Sequence, residues 1–187
     1  MKYRLIRIAS ALAFTGLLAG CATYDSVTSY IFGSKSAECP DAVVLANTAS
    51  LPALNPAAEG DPSGVIYRVA MTNVTTRCTF EKQDKTADAR LKIFLQAQRP
   101  PGGGETTYRV PYYIAVTSGG EIIDKKVHWL KLEFPDRVAS VETIEVVSST
   151  LVKYEKGKTA YDYHFLVGFQ LTKAQLEYNA KIGRYEP

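Results

Sequence analysis

The chain has 187 residues, with 22 Lys and Arg against 19 Asp and Glu for a formal charge of +3, and 46% of its residues are hydrophobic. That length suits one domain with a real core and is short for two. Lys2, Arg4 and Arg7 account for the whole charge excess, and no acidic residue precedes Asp25; the balanced remainder argues against a nucleic-acid footprint and against electrostatic docking on anionic lipid.

After this basic start comes an apolar run from Ile8 to Leu18, broken by Ser10, Thr15 and Gly16. Basic residues, a short apolar run and small residues at its end have the layout of a secretory signal peptide. The run is well short of the roughly 20 residues needed to cross a bilayer. Its ending, Leu17-Leu18-Ala19-Gly20-Cys21, resembles the lipobox of bacterial lipoproteins. The resemblance implies removal of residues 1–20 and acylation of Cys21, palmitate included, so that the chain meets the membrane through N-terminal acyl chains. Ala22 stands where such lipoproteins carry aspartate when retained at the inner membrane. The expected location is therefore the outer membrane, lipid-anchored and facing the periplasm.

Export also bears on the other two cysteines. In an oxidising compartment Cys39 and Cys78 are expected to form a disulfide. A metal pair lacks further ligands at metal-site spacing, His128 and His164 being the only histidines. Residues 21–38 are polar with scattered aromatics (Tyr24, Tyr30, Phe32) and read as a tether with an end-to-end distance of roughly 20–25 Å as a coil. Val27, Tyr30 and Ile31 would share a helical face, but the stretch is short and uncapped.

The domain is expected over 39–187. Ala42 to Leu45 reads as a first strand, and Leu51 to Gly64 as a loop because of Pro52, Pro56 and Pro62. Val65, Tyr67, Val69 and Met71 alternate with Arg68 and Thr72, leading on to Cys78 and Phe80. Ala87, Ala89, Leu91, Ile93, Leu95 and Ala97 alternate with polar residues in the clearest period-two pattern of the chain. Pro100 to Gly104 reads as a hairpin connection. A phosphate loop there would need a following lysine and helix. Thr106 to Thr117 is a strand with Val110, Tyr112, Ile114 and Val116 on one face and the weakly polar Tyr113 and Ala115 on the other.

Ser118-Gly119-Gly120 predicts a tight turn, and Glu121 to Phe134 returns as a strand. There Ile123, Val127 and Trp129 fit one face, whereas Leu130, Leu132 and Phe134 fit the other, predicting a β-bulge near Trp129-Leu130. Val138 to Val152 is a further strand. In the last, Tyr161, Tyr163, Phe165, Val167, Phe169 and Leu171 face inward, and Thr172 with Gln175 forms a capping box that opens a short C-terminal helix. About seven alternating strands without intervening helices predict an all-β fold, an antiparallel β-sandwich of immunoglobulin- or fibronectin-like type.

Pro111 to Val116, Gly120 to Ile123, Glu133-Phe134-Pro135, Val167 to Thr172 and Gln175 to Asn179 resemble a family of alphaproteobacterial envelope lipoproteins. The resemblance spans most of residues 39–179. It implies a cell-envelope domain and carries no catalytic residues.

No nucleophile elbow of the G-x-S-x-G type occurs. His128 and His164 read as strand-surface residues, and the carboxylate pairs Asp84/Asp88 and Glu142/Glu145 read as ordinary strand charges. A tyrosine patch from Tyr108 and Tyr113 could bind sugar or protein, and Tyr113 is the candidate partner-binding residue: its face is poorly polar, as a face covered by a loop or a partner would be. The expected function is a noncatalytic interaction or envelope-assembly module with an envelope protein partner, needing no metal or cofactor. A glycan- or lipid-binding domain is the alternative, and a hydrolase the third reading.

Overall fold

The computed structural model describes residues 39–58, 64–101 and 105–182. The signal segment, Cys21, the tether and Gly102 to Gly104 lie outside the described residues. No helix among the described residues is long and apolar enough to cross a membrane.

Eight strands among the described residues form two four-stranded sheets: β1 (Asp41–Val44), β2 (Ser50–Leu54), β3 (Val65–Glu81), β4 (Thr86–Gln98), β5 (Thr107–Ser118), β6 (Glu121–Glu133), β7 (Ser140–Lys153) and β8 (Tyr163–Phe169), followed by a helix, α1 (Lys173–Ile182). One sheet has the order β1-β8-β5-β6 and the other β2-β3-β4-β7. All pairings are antiparallel except β1 with β8. The result is the expected β-sandwich, with one strand more than the sequence predicts.

The core follows from the alternation. The odd positions of β4 from Ala87 to Ala97 are all buried, and they meet Tyr112, Leu132, Phe165, Val167 and Phe169 from the other sheet. In β3 the inward parity switches from Tyr67, Val69 and Met71 to Val74, Cys78 and Phe80, because a bulge between Met71 and Asn73 inserts Thr72. At the β5–β6 turn Gly119 and Gly120 both take positive φ, +61° and +86°. A two-residue hairpin loop of primed type requires this.

Four local expectations are corrected. The stretch read as loop from Leu51 contains β2, whose Pro52 is tolerated because β2 is an edge strand and its missing N–H lies on the free side. Carbonyls on that side are taken up by α1: Asn179 Nδ2 donates to Ser50 O and Gln175 Nε2 to Pro52 O, both at 2.8 Å. Side chains one helical turn apart thus match alternate carbonyls of a strand, roughly 6 Å against roughly 6.7 Å, and cover an edge that would otherwise invite pairing. The capping box forms as expected, with Gln175 N–H donating to Thr172 Oγ1 and Thr172 N–H to Gln175 Oε1.

Pro100 to Gly104 is not a hairpin connection, since β4 and β5 belong to different sheets. The bulge expected near Trp129-Leu130 is absent: register runs unbroken from Lys125 to Glu133, and the irregularity falls at Ile123. Tyr161 is 71% exposed rather than core, because Asp162 accepts from Thr159 N–H and Oγ1 and closes a short helical turn before β8 begins.

Two core tyrosines have a pH consequence. Burial, and then the neighbouring Tyr108, pushes the Tyr67 hydroxyl up to about 12. Burial, and then the Glu145 carboxylate that accepts its hydrogen bond, holds Tyr112 well above the usual tyrosine range. The folded state keeps these protons where the unfolded chain releases them, so the contribution of Tyr67 is intact below pH ~10 and is lost as pH rises toward ~12. Spectrophotometric titration should show ionisation of these two rings delayed to the alkaline unfolding step. Smooth titration of every tyrosine near pH ~10 in folded protein would contradict this.

Candidate interaction face

Side-chain parity places two kinds of surface on the β1-β8-β5-β6 sheet. Its inner face is core. On its outer face, register aligns Val43 with Leu166 and Ala115, Tyr113 with Val127 and Gly168, and Pro111 with Trp129. The apolar residues of β6 therefore serve both faces of its regular stretch from Lys125 to Glu133: Leu130 and Leu132 are buried inside, while Val127 and Trp129 lie outside. Trp129 is 56% exposed and Ile122 61%. Val43, Leu45 and Ile123 are also exposed, adding β1 and the β6 irregularity to the same sheet.

The centre of this face is covered by the chain itself. After β1 a short helical turn, Ala46–Thr48, carries Thr48 over Gly168 and Tyr113, where Thr48 Oγ1 lies 2.9 Å from the Tyr113 hydroxyl. Lys125 lies over the Tyr113 ring, 4.4 Å from its centroid. Tyr113 is accordingly only 8% exposed. The expectation of an exposed recognition residue at Tyr113 is corrected, and the cover that its poorly polar face called for is a segment of this chain. Tyr108 does not join it in a patch: it has the opposite parity and lies against Tyr67 with the two rings tilted by 40° and their centroids 4.3 Å apart.

What remains open is the periphery of the face, chiefly Trp129, Val127 and Ile122 on β6. Arg109 lies over the Trp129 ring at 5.2 Å, and Lys131 pairs with Glu133 beside it. The charges around the apolar residues are mixed in sign. Sequence reading missed this surface because apolar residues at both parities were attributed to a phase change. The signal was present in the odd-numbered Val127 and Trp129.

The other candidate groups are dispersed. Cys39 and Cys78 form the expected disulfide, with Cα atoms 5.4 Å apart, and join the start of the domain to β3, the long strand that carries Cys78. His164 is exposed on the outer face of β8, opposite Asp41 and Thr117. His128 stacks on Tyr112 with ring centroids 5.2 Å apart, and the buried Tyr112 hydroxyl donates to Glu145 Oε1 at 3.0 Å. This cluster ties β5 to β7 across the two sheets. Its hydroxyl proton is held more tightly than in free tyrosine, the reverse of what activates a nucleophile. Glu142 and Glu145 have opposite parity and point to opposite faces of β7. Asp88 accepts a hydrogen bond from Ser149 at 2.7 Å. Among the described residues no group of three His, Cys, Asp or Glu is placed to hold a metal ion. No known protein family, no curated protein and no solved structure matches the chain.

Proposed function

We propose that the chain is a lipid-anchored, noncatalytic envelope module that docks a protein partner on the outer face of the β1-β8-β5-β6 sheet. The observation that carries this reading is the set of exposed apolar side chains around Trp129, Val127 and Ile122. Contiguous exposed apolar surface on a folded domain marks interaction sites, and an exposed tryptophan with an arginine beside it has the composition of a protein interface centre. The mixed-sign fringe fits a protein surface better than a nucleic acid or an anionic bilayer, which need one-sign complementarity.

The lipobox-like ending at Cys21 supports the anchor, and Ala22 supports outer-membrane sorting toward the periplasm. In the test, a photo-crosslinking residue replaces Val127 in the lipidated protein in its native membranes, alongside Trp129→Glu, Leu151→Glu and Cys21→Ser. Leu151 is exposed on the opposite sheet. The expected result is one reproducible crosslinked protein, reduced at least ~10-fold by Trp129→Glu and unaffected by Leu151→Glu, with palmitate labelling lost in Cys21→Ser. Equal loss with both glutamate variants, or no crosslink at position 127, would sink the docking face. Palmitate labelling that survives Cys21→Ser would sink the anchor.

A further inference from the structure

At the end of the sandwich where β3 begins and β4 finishes lies a cavity of about 300 Å³. Its apolar walls are Val65, Tyr67, Pro100 and Pro101, and its polar groups are Gln98 and two arginines, Arg68 and Arg99. Among the described residues no acidic side chain lines it.

Arg99 is 5% exposed. Its Nε donates to Val138 O at 3.0 Å, Nη1 to Glu105 O at 2.9 Å and Nη2 to Pro135 O at 3.1 Å, and its guanidinium lies 4.9 Å from the centre of the Phe134 ring. These partners are carbonyl dipoles and a ring face. No ion pair to Arg99 occurs among the described residues. A guanidinium withdrawn from water with no carboxylate beside it among the described residues is a costly arrangement that an anion relieves.

The three carbonyls also fix the guanidinium plane, so a bound anion orders nothing further there. Arg68 supplies a second cation, itself steadied by donating to the Tyr178 hydroxyl at 2.9 Å. Beside the Tyr67 wall, the Tyr108 hydroxyl is buried with no hydrogen-bond partner among the described residues.

From this arrangement we infer a binding site for a small organic carboxylate, its carboxyl group between Arg99 and Arg68 and a short apolar body against Tyr67, Val65 and the two prolines. The planar fork of arginine matches a carboxylate, and the volume lies at the small end of ligand pockets. This site is independent of the docking face and uses none of its residues.

The test titrates the full lipidated chain, isotope-labelled in detergent micelles, with butyrate and benzoate while following the arginine Nε–H signals and the Gln98 amide. Butyramide and inorganic phosphate serve as comparisons. Saturable shifts with the two carboxylates are expected at an affinity on the order of 1 mM, weakened about tenfold in Arg68→Gln. Because Arg99 ties three loop carbonyls and its removal endangers folding, Arg68→Gln is the deciding variant, with amide dispersion as its folding check. The assignment is overturned by any of four results: no saturable shift, equal response to butyramide, equal or tighter binding of phosphate, or unchanged affinity in folded Arg68→Gln.

Discussion

Replacing Cys39 and Cys78 by alanine, or reducing their bond, is expected to lower stability by about 4 kcal/mol. The bond closes a segment with a sequence separation of 39, and on the chain-entropy account a loop of that size costs the unfolded state about that much freedom. At roughly 2–4 °C per kcal/mol for a chain of this length, the melting temperature should fall by about 10 °C. β1 would suffer first. It has four residues and makes its only sheet pairing with β8, and the bond at Cys39 ties its N-terminal end to β3 beside the Thr76 hydroxyl that donates to Pro40 O. Urea denaturation with and without reductant, read by far-UV dichroism, provides the measurement. A change under about 1 kcal/mol would mean that the reduced unfolded chain retains structure around β3.

Gly168→Ala is the second large effect, and its origin is steric. A Cβ at this position would overlap Thr48 Oγ1 outright, would lie 2.8 Å from the Tyr113 hydroxyl oxygen and 2.9 Å from Thr48 Cβ. Gly168 sits in the middle of β8, itself between β1 and β5, so backbone retreat is opposed on both sides. Overpacking of this kind costs about 1–3 kcal/mol, and the value here should lie at the upper end because the hydrogen bond between Thr48 and Tyr113 is displaced as well. Thr48→Gly removes two of the three offending atoms and frees the Tyr113 hydroxyl, the third, to move. In the double variant much of the loss should return, whereas simple addition of the two single effects would show that the clash is not with Thr48.

The contrast between what the residues foretold and what they hid follows from the range of the interactions. β4 was legible because its alternation is local and unbroken from Ala87 to Ala97, and α1 because Thr172 and Gln175 cap it within four residues. The turn at Gly119-Gly120 was legible for the same reason. β2 was hidden by Pro52, since proline signals a loop unless the strand is known to lie at an edge, and edge status depends on pairing with distant residues. Tyr113 was misjudged because its cover, Thr48, lies 65 positions earlier. The outer face of β6 was mistaken for a bulge because a strand apolar on both parities looks locally like a change of phase. Arg99 gave no signal at all. Its partners are backbone carbonyls, and carbonyls are present at every residue.

The disulfide also settles how the domain meets a mechanical pull. Tension arriving along the chain ahead of Cys39 passes through the sulfur bridge into Cys78, inside the 17-residue β3, before it reaches β1. The short strand that would otherwise peel away one hydrogen bond at a time is taken out of the force path. The pull falls instead on β3, held between β2 and β4, where many hydrogen bonds must give way together. In the oxidised state a tug at the N-terminal side would leave β1, with Val43 and the turn that covers Tyr113, in place; in the reduced state the same tug would strip them first and uncover Tyr113.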